Sequence, residues 1–407
     1  MLWSVICGKK EKPEKMKNKQ LRTPCYMIHK DMLDDGIALL KNGLERDWKN
    51  ACVGYSFKTN SLPWVVEYMK QKGFYAEVVS ENEYDLACKH DFAHIIYNGP
   101  VKGKRTFFHA LEHGAIVNLD AKRELDWLEE SGKKDVTVGL RVNFNLEEMC
   151  PGETSAGDEG SRFGFSYETG EFAWALNRLK EMGVKVSGLH LHFGSKTRSL
   201  AIYRALAQKA CELKNEFGLE LSFVDLGGGY FGGMENRPKF PDYTKVIAEE
   251  LSRAFSVEET MLIMEPGTSL ITPPIEYLTT VIDVKKTYAN HIVVTDGGRI
   301  DIDPLHAKKG YFHTFLYQNP ETKREILKKQ VICGFTCMEN DRLFVAENTK
   351  ALQVGDQISY QKVGGYTMCL TPLFIRYFPN VYLEENGEYR LIREAWTPEE
   401  YSQKSIY

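Results

Sequence analysis

Val186-Ser-Gly-Leu-His190-Leu-His192-Phe193 and Leu221-Ser-Phe-Val-Asp225-Leu226 are two short apolar runs separated by a stretch with helical spacing, Ala201 to Phe217. Strand, helix, strand is the βαβ unit, whose two strands run parallel. The same alternation continues outward. Cys52–Phe57, Tyr75–Val79, His94–Tyr97, Ala115–Leu119 and Val136–Val142 precede the pair, and Met261–Met264 follows it, which makes eight runs. Glu171 to Met182 has helical spacing, and Leu62-Pro63-Trp64-Val65-Val66 opens another helix with proline in its permitted first turn. Eight such units at roughly 20–40 residues each predict an α/β fold, a closed TIM-like (β/α)8 barrel. An open doubly wound sheet is the rival, and the count of eight and the lack of a GxGxxG after the first run disfavour it.

Beyond Pro266 the texture changes. Residues 275–300 and 330–370 are rich in Val, Ile, Thr and Tyr with glycine turns, which predicts a C-terminal, mostly β domain. The acidic, turn-rich stretch Glu147 to Ser161 is expected as a loop over one end of the barrel. The 407 residues are 43% hydrophobic and 27% charged, ordinary for a globular chain. A net charge of −4 argues against nucleic acid as main partner, and no apolar run approaches the ~18 residues that span a bilayer. Nine cysteines without a CxxC pair suggest reduced thiols and a cytoplasmic setting. Met1 to Cys7 fails as a signal peptide, and Gly8 to Gln20, with six lysines and two glutamates, is expected as a solvated, mobile lead-in.

In a barrel, chemistry sits where strands end. Lys58 follows an apolar run, where desolvation would lower its pKa as an imine-forming lysine requires; the alternative is an amine in solvent. Gly227-Gly228-Gly229 offers bare backbone N–H groups to an anion, or is a tight turn, and Ser195 could add a hydroxyl. Glu265 ends a buried strand and needs a partner, either a protonated ring nitrogen or a structural arginine. His192 could stack on a flat ring or be a satisfied core histidine. Cys337, Met338, Glu339 and Asp341 share one turn-rich segment, and Tyr366 follows Gly364-Gly365. His190 and His192 could face one way as metal ligands, but no second cluster accompanies them, so no metal is expected.

Taken in order, these segments resemble the fold-type III pyridoxal-phosphate decarboxylases, which include diaminopimelate, ornithine and arginine decarboxylases and share their barrel with alanine racemase. The motifs run from Thr23-Pro24-Cys25-Tyr26 to about Phe378. They are Tyr55-Ser-Phe-Lys58-Thr-Asn60, Ala76-Glu77-Val-Val-Ser80-Glu-Asn-Glu83, Leu140-Arg141-Val-Asn143, Ser161-Arg162-Phe163-Gly164, His190-Leu-His192-Phe-Gly194-Ser195 and Asp225-Leu-Gly227-Gly228-Gly229. The resemblance implies pyridoxal 5'-phosphate as cofactor, with Lys58 as the lysine that joins it and His192 stacked on its ring. Ser195, Gly227, Gly228, Gly229, Gly267, Arg141 and Tyr366 would form the rest of its site, with Glu265 at the pyridine nitrogen. Cys337 would be a proton donor contributed by the neighbouring chain of a homodimer. It further implies a barrel over 36–275 and a β-rich domain formed by 1–35 with 276–407.

Three departures fall on the substrate pocket. Thr268 follows Glu265-Pro266-Gly267, where the family commonly has arginine. Met338 stands where an acid usually follows the cysteine, with Glu339 one position later. Asp301-Ile-Asp303-Pro304-Leu305-His306 replaces the arginine-proline pair of diaminopimelate enzymes. A guanidinium that pairs a carboxylate is not replaceable by threonine. The expected activity is therefore α-decarboxylation of an amino acid with an altered distal end, with Thr268, Met338, Glu339 and Asp341 as candidate substrate contacts. Arg299, Lys308 and Lys309 are candidate replacement cations. The alternatives are a racemase on the same barrel, disfavoured by Glu265, or a non-catalytic relative.

Overall fold

A computed structural model describes residues 21–406, so the expected lead-in lies outside the described residues. The chain forms two compact units. One comprises the chain up to Leu33, Pro274–Val363 and the chain from Leu370 onward; the other comprises Asp34–Pro273 and Gly364–Cys369.

The first strand, β1 (Cys25–His29), belongs to the first of these units, and α1 (Lys30–Asp47) leads from it into the second. The second unit is built from β2 (Ala51–Ser56), α2 (Pro63–Gln71), β3 (Tyr75–Ser80), α3 (Glu81–Lys89), β4 (Ile95–Val101), α4 (Lys104–Glu112), β5 (Ile116–Leu119), α5 (Lys122–Ser131) and β6 (Thr137–Asn143). It continues with α6 (Leu146–Met149), β7 (Phe165–Ser166), α7 (Glu171–Glu181), β8 (Lys185–His190), α8 (Leu200–Phe217), β9 (Phe223–Asp225), α9 (Phe240–Leu251), β10 (Met261–Met264) and α10 (Thr268–Ile271). Strands β2, β3, β4, β5, β6, β8, β9 and β10 pair in parallel, and the β5–β6 and β10–β2 pairings close the ring. The predicted barrel is therefore the observed one.

Side chains two apart on a strand share a face, so the barrel interior fills in layers. The lower layer is apolar: Ile96, Phe223 and Ile263 pack together with Cys52, Tyr75, Ile116 and Met261. Gly139 and Gly188 make room for it, because a Cβ at either would stand 2.8 or 2.2 Å from the Phe223 ring. Two residues beyond Tyr75, Ile96, Ile116, Gly139, Gly188, Phe223 and Ile263 stand polar side chains, Glu77, Asn98, Asn118, Arg141, His190, Asp225 and Glu265, each at most 6% exposed. This buried polar layer is what the barrel holds in place.

The β-rich unit contains β11 (Ile275–Lys286), β12 (His291–Thr295), β13 (Phe312–Leu316), β14 (Ile326–Cys333), β15 (Arg342–Lys350), β16 (Gln357–Gln361), β17 (Asn380–Glu385) and β18 (Glu388–Arg393). Its sheet order is β15-β14-β12-β11-β1-β17-β18, with β16 joining β11 to β13. The long strand β11 ties this sheet together, and β1 lies between β11 and β17. Residues 364–369 are not part of it: they leave the β-rich stretch read from sequence and belong with the barrel.

Candidate active site

Lys58 sits in a short 3-10 turn, Phe57–Thr59, that continues β2. Its Nζ lies 3.1 Å from Glu77 Oε2, and its side chain keeps 36% exposure. Burial favours the neutral amine, but Glu77, Glu265 and Tyr366 outweigh it and raise Lys58 above the ordinary lysine value. This corrects the expectation of a lowered pKa: the apolar strand carries an acid on its neighbour, which sequence order did not place beside the lysine.

Below Lys58, five residues of the polar layer form one connected network, Glu77, Asn98, Asn118, Asp225 and Glu265. Asn98 Nδ2 donates to Glu265 Oε1 at 2.6 Å and to Glu77 Oε1 at 3.1 Å. Asn118 Nδ2 donates to Asn98 at 2.8 Å and to Asp225 at 3.2 Å. Burial, then Asp225 and Glu77, raise Glu265 well above the carboxylate range, and burial likewise raises Asp225. Glu77, Asp225 and Glu265 face only Lys58, because Arg141 is spent on Asp120, so a cationic ring nitrogen fits at Glu265. His190 Nε2 is 3.7 Å from Glu265, and neither of its ring nitrogens has a hydrogen-bond partner among the described residues. Burial, with Arg141 beside it, holds His190 neutral. Ligand atoms of His190, Asp225 and Glu265 lie within 4.8 Å of one another, so the company of His190 here is two carboxylates, at the ends of β9 and β10. The rings of those two histidines are parallel, with centroids 6.3 Å apart.

His192 lies just past β8. Burial, Arg141 and Lys58 push its pKa down to about 3, so it presents an uncharged ring. Arg141, which the resemblance placed in the cofactor's site, is engaged within the protein. One arm pairs with Asp120 at 2.6 Å and the other donates to the His192 carbonyl at 3.1 Å, so it fixes the strand end that carries His192.

The glycine turn after β9 is constrained on both sides. Gly227 and Gly229 have φ of +63° and +93°, where glycine is at ease. A Cβ on Gly227 would stand 2.5 Å from His192 Nδ1, and one on Gly228 2.3 Å from the Glu265 carbonyl oxygen. The N–H groups of Gly228 and Gly229 have no partner among the described residues. Ser195 Oγ donates to the Glu153 carbonyl at 3.3 Å and accepts from the N–H of Arg198 at 2.8 Å. Gly267 packs on the lysine turn, since a Cβ there would meet Thr59 at 2.4 Å. Tyr366 N–H donates to Thr59 O at 2.8 Å, and burial raises its phenol despite the pull of Lys58. Thr268 opens α10 and its methyl packs toward Gly365. The acidic loop is pinned over this end of the barrel: Glu153 O accepts from Lys196 N at 2.8 Å, and its carboxylate holds Thr197 and Ser199.

In the β-rich unit, Cys337, Met338 and Glu339 lie on the connection between β14 and β15. Cys337 is an exposed free thiol. Glu339 is 97% exposed and pairs with Arg342. Asp341, grouped with the substrate contacts from sequence, is a structural hub instead. It is buried, and its oxygens accept from Arg299 N at 2.9 Å, Thr336 N at 3.0 Å and Thr336 Oγ1 at 2.7 Å, which leaves little for a ligand. Two of the candidate replacement cations are also engaged, Arg299 with Asp303 at 3.1 Å and Lys308 with the Ile302 carbonyl at 2.6 Å.

Sequence reasoning gave no role to Glu77, Asn98, Asn118, Asp225, Asp120 or Arg198. A signal for the first three was present: each is a lone polar residue inside an otherwise apolar strand.

A lysine, a neutral histidine, a glycine turn with open N–H groups and a raised glutamate stand together at one end of a parallel barrel, an arrangement that fits pyridoxal phosphate. The comparisons place the chain within a family. The profile described as "Pyridoxal-dependent decarboxylase, pyridoxal binding domain" matches residues 40–272, and the chain belongs to the fold-type III pyridoxal-dependent decarboxylases. Its cofactor is pyridoxal phosphate. The chain is 27% identical over 358 residues to the diaminopimelate decarboxylase of Archaeoglobus fulgidus, covering 84% of this chain and 83% of that protein. The structure of the M. jannaschii diaminopimelate decarboxylase with L-lysine superposes with a TM-score of 0.82 at 25% identity, covering 96% and 93% of the two chains. The Vibrio vulnificus lysine/ornithine decarboxylase with cadaverine shares the fold, with a TM-score of 0.71 at 22% identity over 88% of this chain and 93% of that one. Among the described residues no helix is long and apolar enough to cross a membrane.

Proposed function

We propose that this decarboxylase removes the α-carboxylate of an amino acid whose distal end differs from that of diaminopimelate. The observation that carries the distal part is the loss of charge at the family's recognition positions. Thr268 replaces a guanidinium, Met338 replaces an acid, and Asp341 is consumed by its own fold.

Bound pyridoxal phosphate supplies an electron sink for the pair left on the α-carbon when CO2 departs. The chain's residues do the rest. Lys58 would hold the cofactor through its side-chain amine. Glu265, whose proton affinity burial has raised, would face the ring nitrogen and favour its protonated form, and Asn98 holds that carboxylate in position. His192 offers a flat uncharged face, and Arg141 fixes its backbone. The Gly227–Gly229 turn, Ser195, Gly267 and Tyr366 bind the phosphate end. Cys337 returns a proton to the α-carbon, donated across the interface of a homodimer.

The test is a screen of basic, acidic and acylated amino acids for CO2 release, with mass spectrometry of the product. An amine one CO2 lighter than its substrate supports the reading. Diaminopimelate as the best substrate would overturn the altered distal pocket, and an enantiomer with intact carboxylate would overturn decarboxylation.

A further inference from the structure

A phosphate monoester brings close to two negative charges, and backbone N–H groups alone neutralise them weakly. The turn 265–268 contributes no cation, because it reads Glu-Pro-Gly-Thr. Lys58 is committed to Glu77, Arg141 to Asp120, and Lys102 to the buried Glu124. Arg198 is placed differently. It sits at φ +52°, a backbone conformation that costs energy for a side chain of this kind. Three ties hold it there. Its N–H donates to Ser195 Oγ at 2.8 Å, its carbonyl accepts from Tyr243 OH at 2.7 Å, and its guanidinium lies over Phe231, 5.5 Å from the ring centroid.

Its guanidinium has no carboxylate partner among the described residues. Its one hydrogen bond, Nη1 to the Tyr230 carbonyl, is long at 3.5 Å. That carbonyl is next to the glycine turn, whose own carbonyls at Gly227 and Gly228 are taken by Tyr230 OH and Tyr203 OH, both at 2.9 Å. The turn is thus left with its Gly228 and Gly229 N–H groups to offer. Burial raises the phenols of Tyr203 and Tyr366, and the Arg198 charge pulls against that rise in both.

We propose that Arg198 is the side-chain cation of the phosphate cradle, its guanidinium acting with the Gly228 and Gly229 N–H groups and the Ser195 hydroxyl on the cofactor's phosphate monoester. This rests on the reading above that puts the phosphate at the glycine turn. It explains why an arginine is held in left-handed backbone without an ion-pair partner: its partner arrives with the ligand.

The full chain, stripped of cofactor, is titrated with pyridoxal phosphate and with pyridoxal, and binding is read by quenching of protein fluorescence. For Arg198→Gln the affinity for pyridoxal phosphate is expected to fall about tenfold or more, with pyridoxal unchanged. Inorganic phosphate should compete with pyridoxal phosphate in the wild type and less well in the variant. Arg198→Lys, which keeps the charge on a different geometry, should lose less pyridoxal phosphate affinity and no pyridoxal affinity. Equal loss of both ligands in either variant would assign Arg198 a purely structural role and overturn the proposal. So would unchanged pyridoxal phosphate affinity, or an effect confined to the KM of the amino acid. A wild type that binds neither ligand overturns the underlying site reading, and this is seen before any variant is made.

Discussion

The side-chain amide of Asn98 donates to Glu265 at 2.6 Å across the barrel interior. Asn98 is on β4 and Glu265 follows β10, so the bond joins strands distant in sequence. It presents an N–H to the carboxylate proposed to face the cofactor's ring nitrogen. Asn98→Ala should leave cofactor bound but lower kcat/KM about ten- to hundredfold, the worth of a hydrogen bond to a charged group. Steady-state kinetics checks this; unchanged kcat/KM would remove Asn98 from the machinery.

The crowding of Glu77, Asp225 and Glu265 also sets a pH dependence. Glu265 and Asp225 have raised proton affinities in the folded chain. Such groups stabilise the fold fully below the ordinary carboxylate value of about 4, and that contribution is lost as pH rises through the raised values. Cofactor-free protein should therefore melt at progressively lower temperature as pH increases from about 4 through neutrality, and Asp225→Asn should flatten that slope. A cofactor-free Tm that climbs over this range would contradict the assignment.

Lys58 is kept charged by Glu77. Only the neutral amine can attack an aldehyde, so cofactor uptake by the stripped protein should accelerate as pH rises. Glu77→Gln should lower the Lys58 pKa and speed uptake near pH 7, roughly tenfold for each pKa unit lost. Stopped-flow absorbance reports the rate, and a slower Glu77→Gln variant would speak against the ion pair as the brake.

Gly228 has no room for a methyl group, since its Cβ would stand 2.3 Å from the Glu265 carbonyl oxygen. Gly228→Ala should displace the turn and weaken pyridoxal phosphate binding, at a stability cost of about 1–3 kcal/mol. Isothermal titration and thermal denaturation measure the two effects, and wild-type affinity would show that the turn does not cradle the cofactor.

Asp341 provides the contrast within the β-rich unit. Its carboxylate accepts from Arg299 N, Thr336 N and Thr336 Oγ1. Asp341→Ala should destabilise the chain by about 1–3 kcal/mol per donor left unsatisfied, with the substrate's KM unchanged in whatever fraction stays folded. A KM change without loss of stability would return Asp341 to the substrate pocket.

How much of this was legible beforehand differs from residue to residue. The eight runs were legible because strand periodicity and turn chemistry are local, and so were the glycine turn and the lysine, histidine and glutamate at strand ends. Glu77 and Asn98 were in view as polar residues in apolar strands, but their company was not: β3, β4 and β10 are neighbours or facing walls only once the ring has closed. Asp341 misled for the opposite reason, because an acid beside an exposed cysteine looks available until its donors, from Arg299 and Thr336, fold onto it. Gly364–Cys369 likewise reads as β-domain sequence and joins the barrel.

The amino-acid order by itself determined the barrel and the β-rich tail, which follow from patterns a few residues long, and its ordered motifs carried the family resemblance that implies the cofactor. Tertiary structure alone decided which groups carry protons, which cations are free and which acids are spent on the fold. Charge is felt through space, and burial and pairing are set by strands that meet only when the sheet closes on itself.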